Sequence, residues 1–399
     1  MIAVFLLPLY LLVNIYAARR GLTWLCACHA VFARKGVRLS FYAAYALIAS
    51  SPVIGFVLPD GTGGRMFTIL GHFWLGVLLY ILFFLILAEC VAFALRRWGI
   101  LSQKRFGRRA LAWAGAVVVL CVTAVSWYGV VHAQQIKSHY CTVVIEKSAD
   151  MEELNIALIA DLHLGYGVGA RQLARVVETA NAFDPDLTLI AGDILNNAYE
   201  TLDDPEEIGR LFGMLNAKYG VYACYGNHDV PEKTLAGFTF SQTKIKENDP
   251  RLTELLENAG VRVLQDTSVL IDGRFYLIGR RDRRRPGNAE NSRLSPAELT
   301  AGLDLSKPVL MIDHEPVGLE EIAAAGVDLD LSGHTHAGQV FPGNLIGCLF
   351  NENNWGVKKI GAMTSVVTSG AGYFGPSMRT FTDSEVMLIR VRFGEPSVR

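Results

Sequence analysis

Short groups of Asp, His and Asn residues recur in the second half of the chain, and each group directly follows an apolar run. The groups are Asp161-Leu162-His163, Gly192-Asp193, Gly226-Asn227-His228-Asp229, His314, and Gly333-His334-Thr335-His336. Carboxylate, amide and imidazole side chains supply oxygen and nitrogen ligands for divalent transition metals. Two such ions about 3.5 to 4 Å apart need more ligands than one motif supplies, and at least one carboxylate should bridge them. The groups therefore predict a two-metal site that activates water as a nucleophile.

The apolar runs that precede these groups are predicted to be buried strands. They cover Ile156–Ala160, Leu187–Ala191, Val221–Tyr225, Val309–Ile312 and Leu329–Leu331. Helix-like segments lie between them, which is the alternation expected of an α/β fold. Ligands of an open α/β sheet bind at the carboxyl ends of its strands, so we expect the five groups to meet at one rim. Glycine at positions 192, 226 and 333 allows the backbone to approach the metals without a Cβ clash.

The ordered set resembles the signature of the calcineurin-like metallophosphoesterase superfamily: D-x-H, G-D, G-N-H-D/E, a lone His and G-H-x-H. Asp-x-His or Gly-Asp alone would arise by chance, whereas the complete set in order is specific. The resemblance covers roughly residues 154–392. It implies a metallophosphoesterase αββα sandwich with the metals at the carboxyl ends of the strands. It also implies a metal-dependent hydrolase acting on phosphoric ester or pyrophosphate bonds.

The resemblance implies a role for each residue of the set. One ion would be bound by Asp161, His163 and His336. The other would be bound by Asn227, His314 and His334, with Asp193 as the bridge. His228 would protonate the leaving oxygen, and Asp229 would orient its ring. The ions would polarise the phosphoryl oxygens while a hydroxide between them attacks in line. Because the donors include no thiolate, Mn, Fe, Zn and Co all remain open.

The first third of the chain is rich in long apolar runs. Four stretches reach the roughly 17 to 25 helical residues that cross a bilayer, at about residues 2–18, 40–58, 69–95 and 110–131. We therefore expect a transmembrane region at 1–131, a linker at 132–153 and a catalytic domain at 154–399. The layout is similar to the membrane-associated branch of the superfamily, in which bacterial proteins carry transmembrane helices before the phosphoesterase domain.

Basic residues predict the side of the membrane that each loop occupies. Lys and Arg cluster at 19–38 and 96–109, and such loops favour the cytoplasm. The protein is thus predicted to span the cytoplasmic membrane with its catalytic domain outside the cytoplasm. If the first stretch does not cross, the N-terminus changes side and the catalytic domain does not.

Three arginines are candidates for substrate binding. Arg379 lies near a Gly-rich turn, and a guanidinium can bind two phosphate oxygens at once. Arg281 and Arg283 belong to the basic run 280–285, which could guide anionic headgroups toward the metals. Such a run is equally typical of a solvated loop.

A membrane anchor suits a lipid-linked or other membrane-associated phosphodiester or pyrophosphate. The formal net charge of −1 gives no reason to expect a nucleic-acid partner, and the sequence identifies no protein partner. One alternative is a UDP-2,3-diacylglucosamine-type hydrolase, which other members of the branch resemble and which requires a domain facing the cytoplasm. Another is a metal-binding sensor without turnover, although His228 and Asp229 are not needed merely to hold metal. A transporter is unsupported, since His72 and Glu89 are the only ionisable residues clearly inside the predicted spans.

Overall fold

The computed structural model describes residues 2–59, 61–99, 107–231, 233–235, 238–240 and 247–394. The chain divides into two compact units. The first comprises 1–131 with the short segments 234–238 and 375–378, and the second comprises 132–233, 239–374 and 379–399. Lys104 and Arg105 of the second basic loop lie outside the described residues.

The first unit is built from long apolar helices: α1 (Ile2–Cys28), α2 (Lys35–Val57), α3 (Thr62–Arg97) and α4 (Arg108–Ala133). In the described part of the chain, α2, α3 and α4 are long and apolar enough to cross a membrane. α1 coincides with the first predicted stretch, and its crossing stays a prediction. A Cβ on Gly71 of α3 would lie 2.7 Å from the Cα of Pro52 in α2. Such close approach at a small residue is typical of helix pairs in membranes.

The strands that follow are listed in chain order. They are β1 (Ile136–Ile145), β2 (Glu153–Ile159), β3 (Leu187–Ala191), β4 (Val221–Cys224), β5 (Lys233–Leu235), β6 (Phe238–Phe240), β7 (Val261–Val263), β8 (Thr267–Ile271), β9 (Phe275–Gly279), β10 (Val309–Ile312), β11 (Leu329–Ser332), β12 (Gly356–Ile360), β13 (Met363–Val367) and β14 (Ser384–Phe393). The helices among them are α5 (Ala170–Asn181), α6 (Pro205–Phe212), α7 (Pro250–Asn258), α8 (Pro296–Thr300), α9 (Leu319–Ala324) and α10 (Gly343–Phe350). All five strands predicted before the metal-binding motifs are confirmed.

Local sequence explains where several of these helices begin. α6, α7 and α8 each start with a proline, whose fixed φ suits the first helical position. The preceding side chains of Asp204, Asp249 and Ser295 accept hydrogen bonds from backbone N–H groups of the first turn. Capping of this kind fixes the direction in which each helix leaves its loop.

Two six-stranded sheets lie face to face between two layers of helices. The first sheet has the order β1-β14-β2-β3-β4-β7, and the second has the order β12-β13-β11-β10-β9-β8. Alternate residues of β2 show the layering: Ile156 and Leu158 contact the second sheet, whereas Ala157 and Ile159 contact helices α5 to α7. On the other side, the second sheet contacts α8 and α9. The predicted αββα sandwich is confirmed.

Strand β1 corrects the predicted domain boundary. Residues 132–153 were expected to form a linker, but Ile136–Ile145 pair in parallel with β14 along ten residues. The catalytic unit therefore begins at about residue 132. The alternation in β1 is weak because it is an edge strand, and Lys137, Ser138 and Tyr140 are exposed or partly exposed. Its partner lies at the other end of the chain, so no local pattern identified it.

The register also fixes where the chain enters the second unit. β14 runs antiparallel to β2, with Met387 opposite Leu158, so Ser384 lies at the carboxyl edge of β2. Ser384 pairs with Ile136, which is separated from the end of α4 by only two residues. The Ser384 hydroxyl donates to the carbonyl of Ala133 at 2.8 Å. The chain thus leaves α4 at the sheet edge that also carries Asp161.

Candidate metal centre

Loops at the carboxyl edges of five strands bring the predicted metal ligands together. Within each sheet the strands concerned are parallel, so their ends point to the same edge. The first sheet contributes the loops after β2, β3 and β4, and the second contributes those after β10 and β11. The expected convergence of separate segments follows from this arrangement.

A first group consists of Asp161, His163 and His336. Their ligand atoms all lie within 4.8 Å of one another, and the three residues are buried. The Nε2 atoms of His163 and His336 are 3.0 Å apart, and Nε2 of His336 is 3.5 Å from Oδ1 of Asp161. This spacing suits three ligands around one cation.

A second group consists of Asp193, His314 and His334, whose ligand atoms also lie within 4.8 Å of one another. Nε2 of His314 is 3.1 Å from Oδ2 of Asp193 and 3.2 Å from Nδ1 of His334. The same Oδ2 atom is 3.7 Å from Nε2 of His163, which belongs to the first group. The Asp193 carboxylate therefore lies where both groups can share it.

The side chains around these groups fit two divalent cations. In both groups imidazole nitrogens face one another, an arrangement that a cation between the lone pairs would stabilise. Oδ1 of Asn227 is buried and has no hydrogen-bond partner among the described residues, so it is available as a further oxygen donor. A Cβ on Gly226 would lie 2.3 Å from Oδ1 of Asp193, so only glycine allows this approach.

Burial favours neutral rings at His163, His334 and His336, whereas the Asp193 carboxylate raises the pKa of His314 well above its ordinary value against the effect of burial. Burial lowers the pKa of His163 to about 3, which keeps its lone pair free for a ligand. Burial raises the pKa of Asp161 to about 7. For Asp193 burial also opposes ionisation, but the charges of His314 and then His228 hold its pKa well below the ordinary value. Two close, buried carboxylates are stabilised when cations lie between them.

Several of these residues adopt the left-handed backbone conformation. The φ angles are 52° for Asp161, 48° for His163, 51° for Asp193, 71° for His334 and 50° for His336. Residues with a Cβ rarely take this conformation, which costs about 1 kcal/mol or more for each. Such strain concentrated in one set of residues is typical of a functional site.

His228 lies beside the first group but is held differently from what we expected. Its Nδ1 atom is 3.0 Å from the backbone oxygen of Asn196, and its ring centroid is 5.1 Å from that of His163 and 4.4 Å from that of Phe374. A carbonyl can only accept, so Nδ1 carries a proton and donates it to Asn196. Neither Asn196 nor Phe374 was predicted, because a backbone carbonyl and a ring contact have no sequence signature.

Asp229 does not orient the ring of His228, so that expectation is wrong. One carboxylate oxygen accepts the Leu195 N–H at 2.8 Å, and the other accepts the Gly226 N–H at 2.8 Å. Both oxygens of Asp229 therefore accept backbone N–H groups. These two hydrogen bonds connect the loop after β4 to the loop after β3. Asp229 thereby fixes the path of the loop that carries Asn227 and His228.

Arg379 is not a phosphate clamp, because its guanidinium is buried and fully engaged by backbone carbonyls. Nη2 donates to the oxygens of Ser369 at 2.6 Å and Gly372 at 2.8 Å, and it lies 3.1 Å from Nδ1 of His336. A Cβ on Gly370, in the same turn, would lie 2.6 Å from the Cβ of Asp161. Arg379 therefore stabilises the turn that contacts two of the candidate ligands.

The basic run contributes less to substrate binding than the sequence suggested. Arg281 donates to the side chain of Gln265 and to the carbonyl of Pro286, so it fixes the loop. Arg283 is exposed, and its role in binding stays a prediction. The neighbouring Arg284 contacts the buried carboxylate of Glu315 at 3.1 Å, next to His314.

Comparison with known proteins agrees with this geometry. Residues 154–338 match the family model described as calcineurin-like phosphoesterase. A transmembrane protein with metallophosphoesterase domain from Danio rerio is 29% identical, over 96% of this chain and 87% of its own. The protein of the same description from Bos taurus is 26% identical, over 86% and 78%. An uncharacterized metallophosphoesterase from Campylobacter jejuni is 26% identical, over 62% and 63%.

The role of Arg379 can be tested with Arg379→Lys. One ammonium group cannot replace Nε, Nη1 and Nη2, which together donate to the carbonyls of Gly372, His336 and Ser369, so we expect the free energy of unfolding to fall by about 2 kcal/mol or more. Bound metal should fall with it, as measured by thermal unfolding and elemental analysis. The matched change Arg283→Lys should leave both unchanged. A raised KM for substrate with unaltered stability would instead support the clamp.

Proposed function

We propose that this chain is a metal-dependent hydrolase that cleaves a phosphodiester or pyrophosphate bond in a lipid-linked or other membrane-associated substrate. The match of residues 154–338 to the calcineurin-like phosphoesterase model supports the reaction class. The observation that supports this most directly is the pair of His/Asp groups joined by Asp193. The membrane helices support the choice of substrate, because they keep the enzyme where such molecules lie.

We assign one ion to Asp161, His163 and His336. The other is assigned to Asn227, His314 and His334, with Asp193 shared by both. When bound, divalent transition metals supply Lewis-acid polarisation of the phosphoryl oxygens and activate water at neutral pH. The nitrogen and oxygen donors suit Mn, Fe, Zn or Co.

The other residues position the substrate and move a proton. The Asn196 carbonyl accepts the Nδ1 proton of His228, so a proton for the leaving oxygen comes from Nε2 of the doubly protonated ring, which becomes neutral in the transfer. The ring of Phe374 contacts the rings of both His163 and His228, which limits the access of water on that side. Asp229 contributes indirectly, since it fixes the loop that carries His228.

We further propose that the protein resides in the cytoplasmic membrane with its second unit outside the cytoplasm. The support for this orientation is the positive charge of the segments 19–38 and 96–109, which contain the connections between helices and the helix ends beside them. A substrate on the outer side of the bilayer would then be within reach. The UDP-linked glycolipid, which is made in the cytoplasm, would not.

Removal of the shared carboxylate tests the metal assignment. Asp193→Ala should abolish hydrolysis of bis-nitrophenyl phosphate and lower the metal content of the purified full chain, because both ions lose a ligand. The control Asp304→Ala changes an exposed carboxylate and should alter neither. If protein shown by elemental analysis to contain no metal kept full activity, the proposed metal-dependent mechanism would be wrong.

Replacement of His228 separates proton transfer from metal binding. His228→Ala should lower kcat on bis-nitrophenyl phosphate by about a hundredfold while the metal content stays near that of the wild type. His228→Asn can still donate to the Asn196 carbonyl but cannot pass on a proton, so it should lose as much. Parallel loss of metal and activity would make His228 a ligand, and unaltered turnover would favour a sensor.

Reporter fusions test the orientation. Alkaline phosphatase fused after residue 399 should be active, and green fluorescent protein at the same position should be dark, because the loop charges direct this end outward. The same reporters fused after Gly36, at the start of α2 and within the basic segment 19–38, should give the opposite result. Fluorescence of the full-length fusion would put the metals in the cytoplasm and favour the UDP-linked glycolipid.

A further inference from the structure

Helix α10 exposes nearly all of its apolar surface. Leu345, Ile346, Leu349 and Phe350 are exposed, the last two to 79% and 82%, and the helix has no buried residue. A helix of a water-soluble domain normally buries one apolar stripe against the core. Large apolar side chains grouped on an exposed surface instead mark a site of interaction.

Two aromatic residues extend this surface across a neighbouring cavity. Phe381 is 73% exposed and Trp355 is 47% exposed. Both line a cavity of about 440 Å³, together with Asn344 and Cys348 of α10. We refer to α10, Trp355 and Phe381 as the apolar rim of this cavity.

The apolar rim lies at the point where the chain leaves α4. The cavity is also lined by His139 of β1 and by Asp383, which directly precedes β14. Oδ1 of Asp383 lies 2.8 Å from Nε2 of His132, in the last turn of α4, and 2.9 Å from Nζ of Lys137. Only two residues separate α4 from β1. The rim is therefore held near the end of a helix long and apolar enough to cross a membrane.

The cavity also lies against the loop that carries the candidate ligand His336. Ala337, which lines it, follows the candidate ligand His336, and a Cβ on Gly338 would lie 2.4 Å from the backbone nitrogen of Asn344. Polar groups lie on its other side, where Glu385 is fully buried and its Oε2 atom lies 3.4 Å from Nε2 of His139. The cavity thus combines an apolar margin with a polar interior.

We propose that the apolar rim inserts into the boundary between the headgroups and acyl chains of the bilayer, and that the cavity receives the polar headgroup of a phospholipid-like substrate. A short helix with Leu and Phe side chains, extended by Trp, suits this interfacial region. The lipid is favoured over a protein partner because the rim lies beside the end of α4. The substrate part rests on the proposed function, whereas the bilayer contact does not.

Photo-crosslinking of the full chain tests the contact. The changes Phe350→p-benzoylphenylalanine and Phe381→p-benzoylphenylalanine keep an aromatic side chain at exposed positions. In vesicles of phosphatidylethanolamine and phosphatidylglycerol, irradiation should attach phospholipid at both positions, as detected by mass spectrometry. The control is Met214→p-benzoylphenylalanine, an exposed apolar position before β4 at the opposite sheet edge, which should attach none. The proposal would be overturned if position 350 crosslinked no more phospholipid than position 214 does. It would also be overturned if position 350 crosslinked to a second copy of the chain.

A kinetic comparison tests the delivery of substrate. The double change Leu349→Asn and Phe350→Asn should lower the ratio of turnover on a nitrophenyl-ester phospholipid to turnover on bis-nitrophenyl phosphate by about tenfold. Met214→Asn should leave the ratio unchanged, and an unchanged ratio in the double variant would overturn the delivery role. Crosslinked lipid without hydrolysis of either ester would reject the proposed function alone. Hydrolysis of the soluble ester without crosslinked lipid would reject this inference alone.

Discussion

The position of the Asp193 carboxylate is the constraint on which the rest of the site depends. One of its oxygens lies within 3.1 Å of a nitrogen of His314 and 3.7 Å of a nitrogen of His163, and the other accepts the backbone N–H of His228 at 2.8 Å. These histidines come from loops of different sheets. They can meet at one carboxylate only if the two sheets keep a fixed position relative to each other. The apolar layer between the sheets, with fully buried residues such as Ile156, Leu158 and Leu331, provides that alignment.

Rigidity around the site offsets the cost of its backbone strain. Five candidate ligands adopt left-handed φ values, which an isolated loop would not retain. Asp229 and Arg379 hold the loops on either side by bonds to backbone groups, and the His334 N–H donates to the Asp161 carboxylate at 2.9 Å. Asp229 and Arg379, which the sequence suggested as catalytic and substrate-binding residues, thus stabilise the loops of the site. The positive charge of Arg379 strengthens its hydrogen bonds to carbonyl oxygens, which a neutral side chain would do less well.

The sequence was informative where the relevant interactions are local. The five strands and the motifs after them are short segments of sequence. The rule that ligands bind at the carboxyl ends of strands was enough to predict that Asp161, Asp193 and His314 lie close together. Features that depend on contacts between residues far apart in the sequence were not predicted. β1 was taken for a linker because its apolar partner lies at the far end of the chain, and its own pattern is that of an edge strand. Arg379 was wrongly predicted to bind phosphate, because nothing in the neighbouring sequence reveals that carbonyl oxygens surround its guanidinium.

The connection of two residues between α4 and β1 has a kinetic consequence. Extended chain of that length spans only about 10 Å, so the catalytic edge cannot move far from the point where the helix ends. An enzyme held in this way meets its substrate by diffusion in the plane of the membrane rather than in the surrounding volume. For a substrate that stays in the bilayer, the encounter rate follows the number of substrate molecules per unit of membrane area. Dilution of the whole suspension then leaves the rate per enzyme unchanged, whereas added inert lipid slows it.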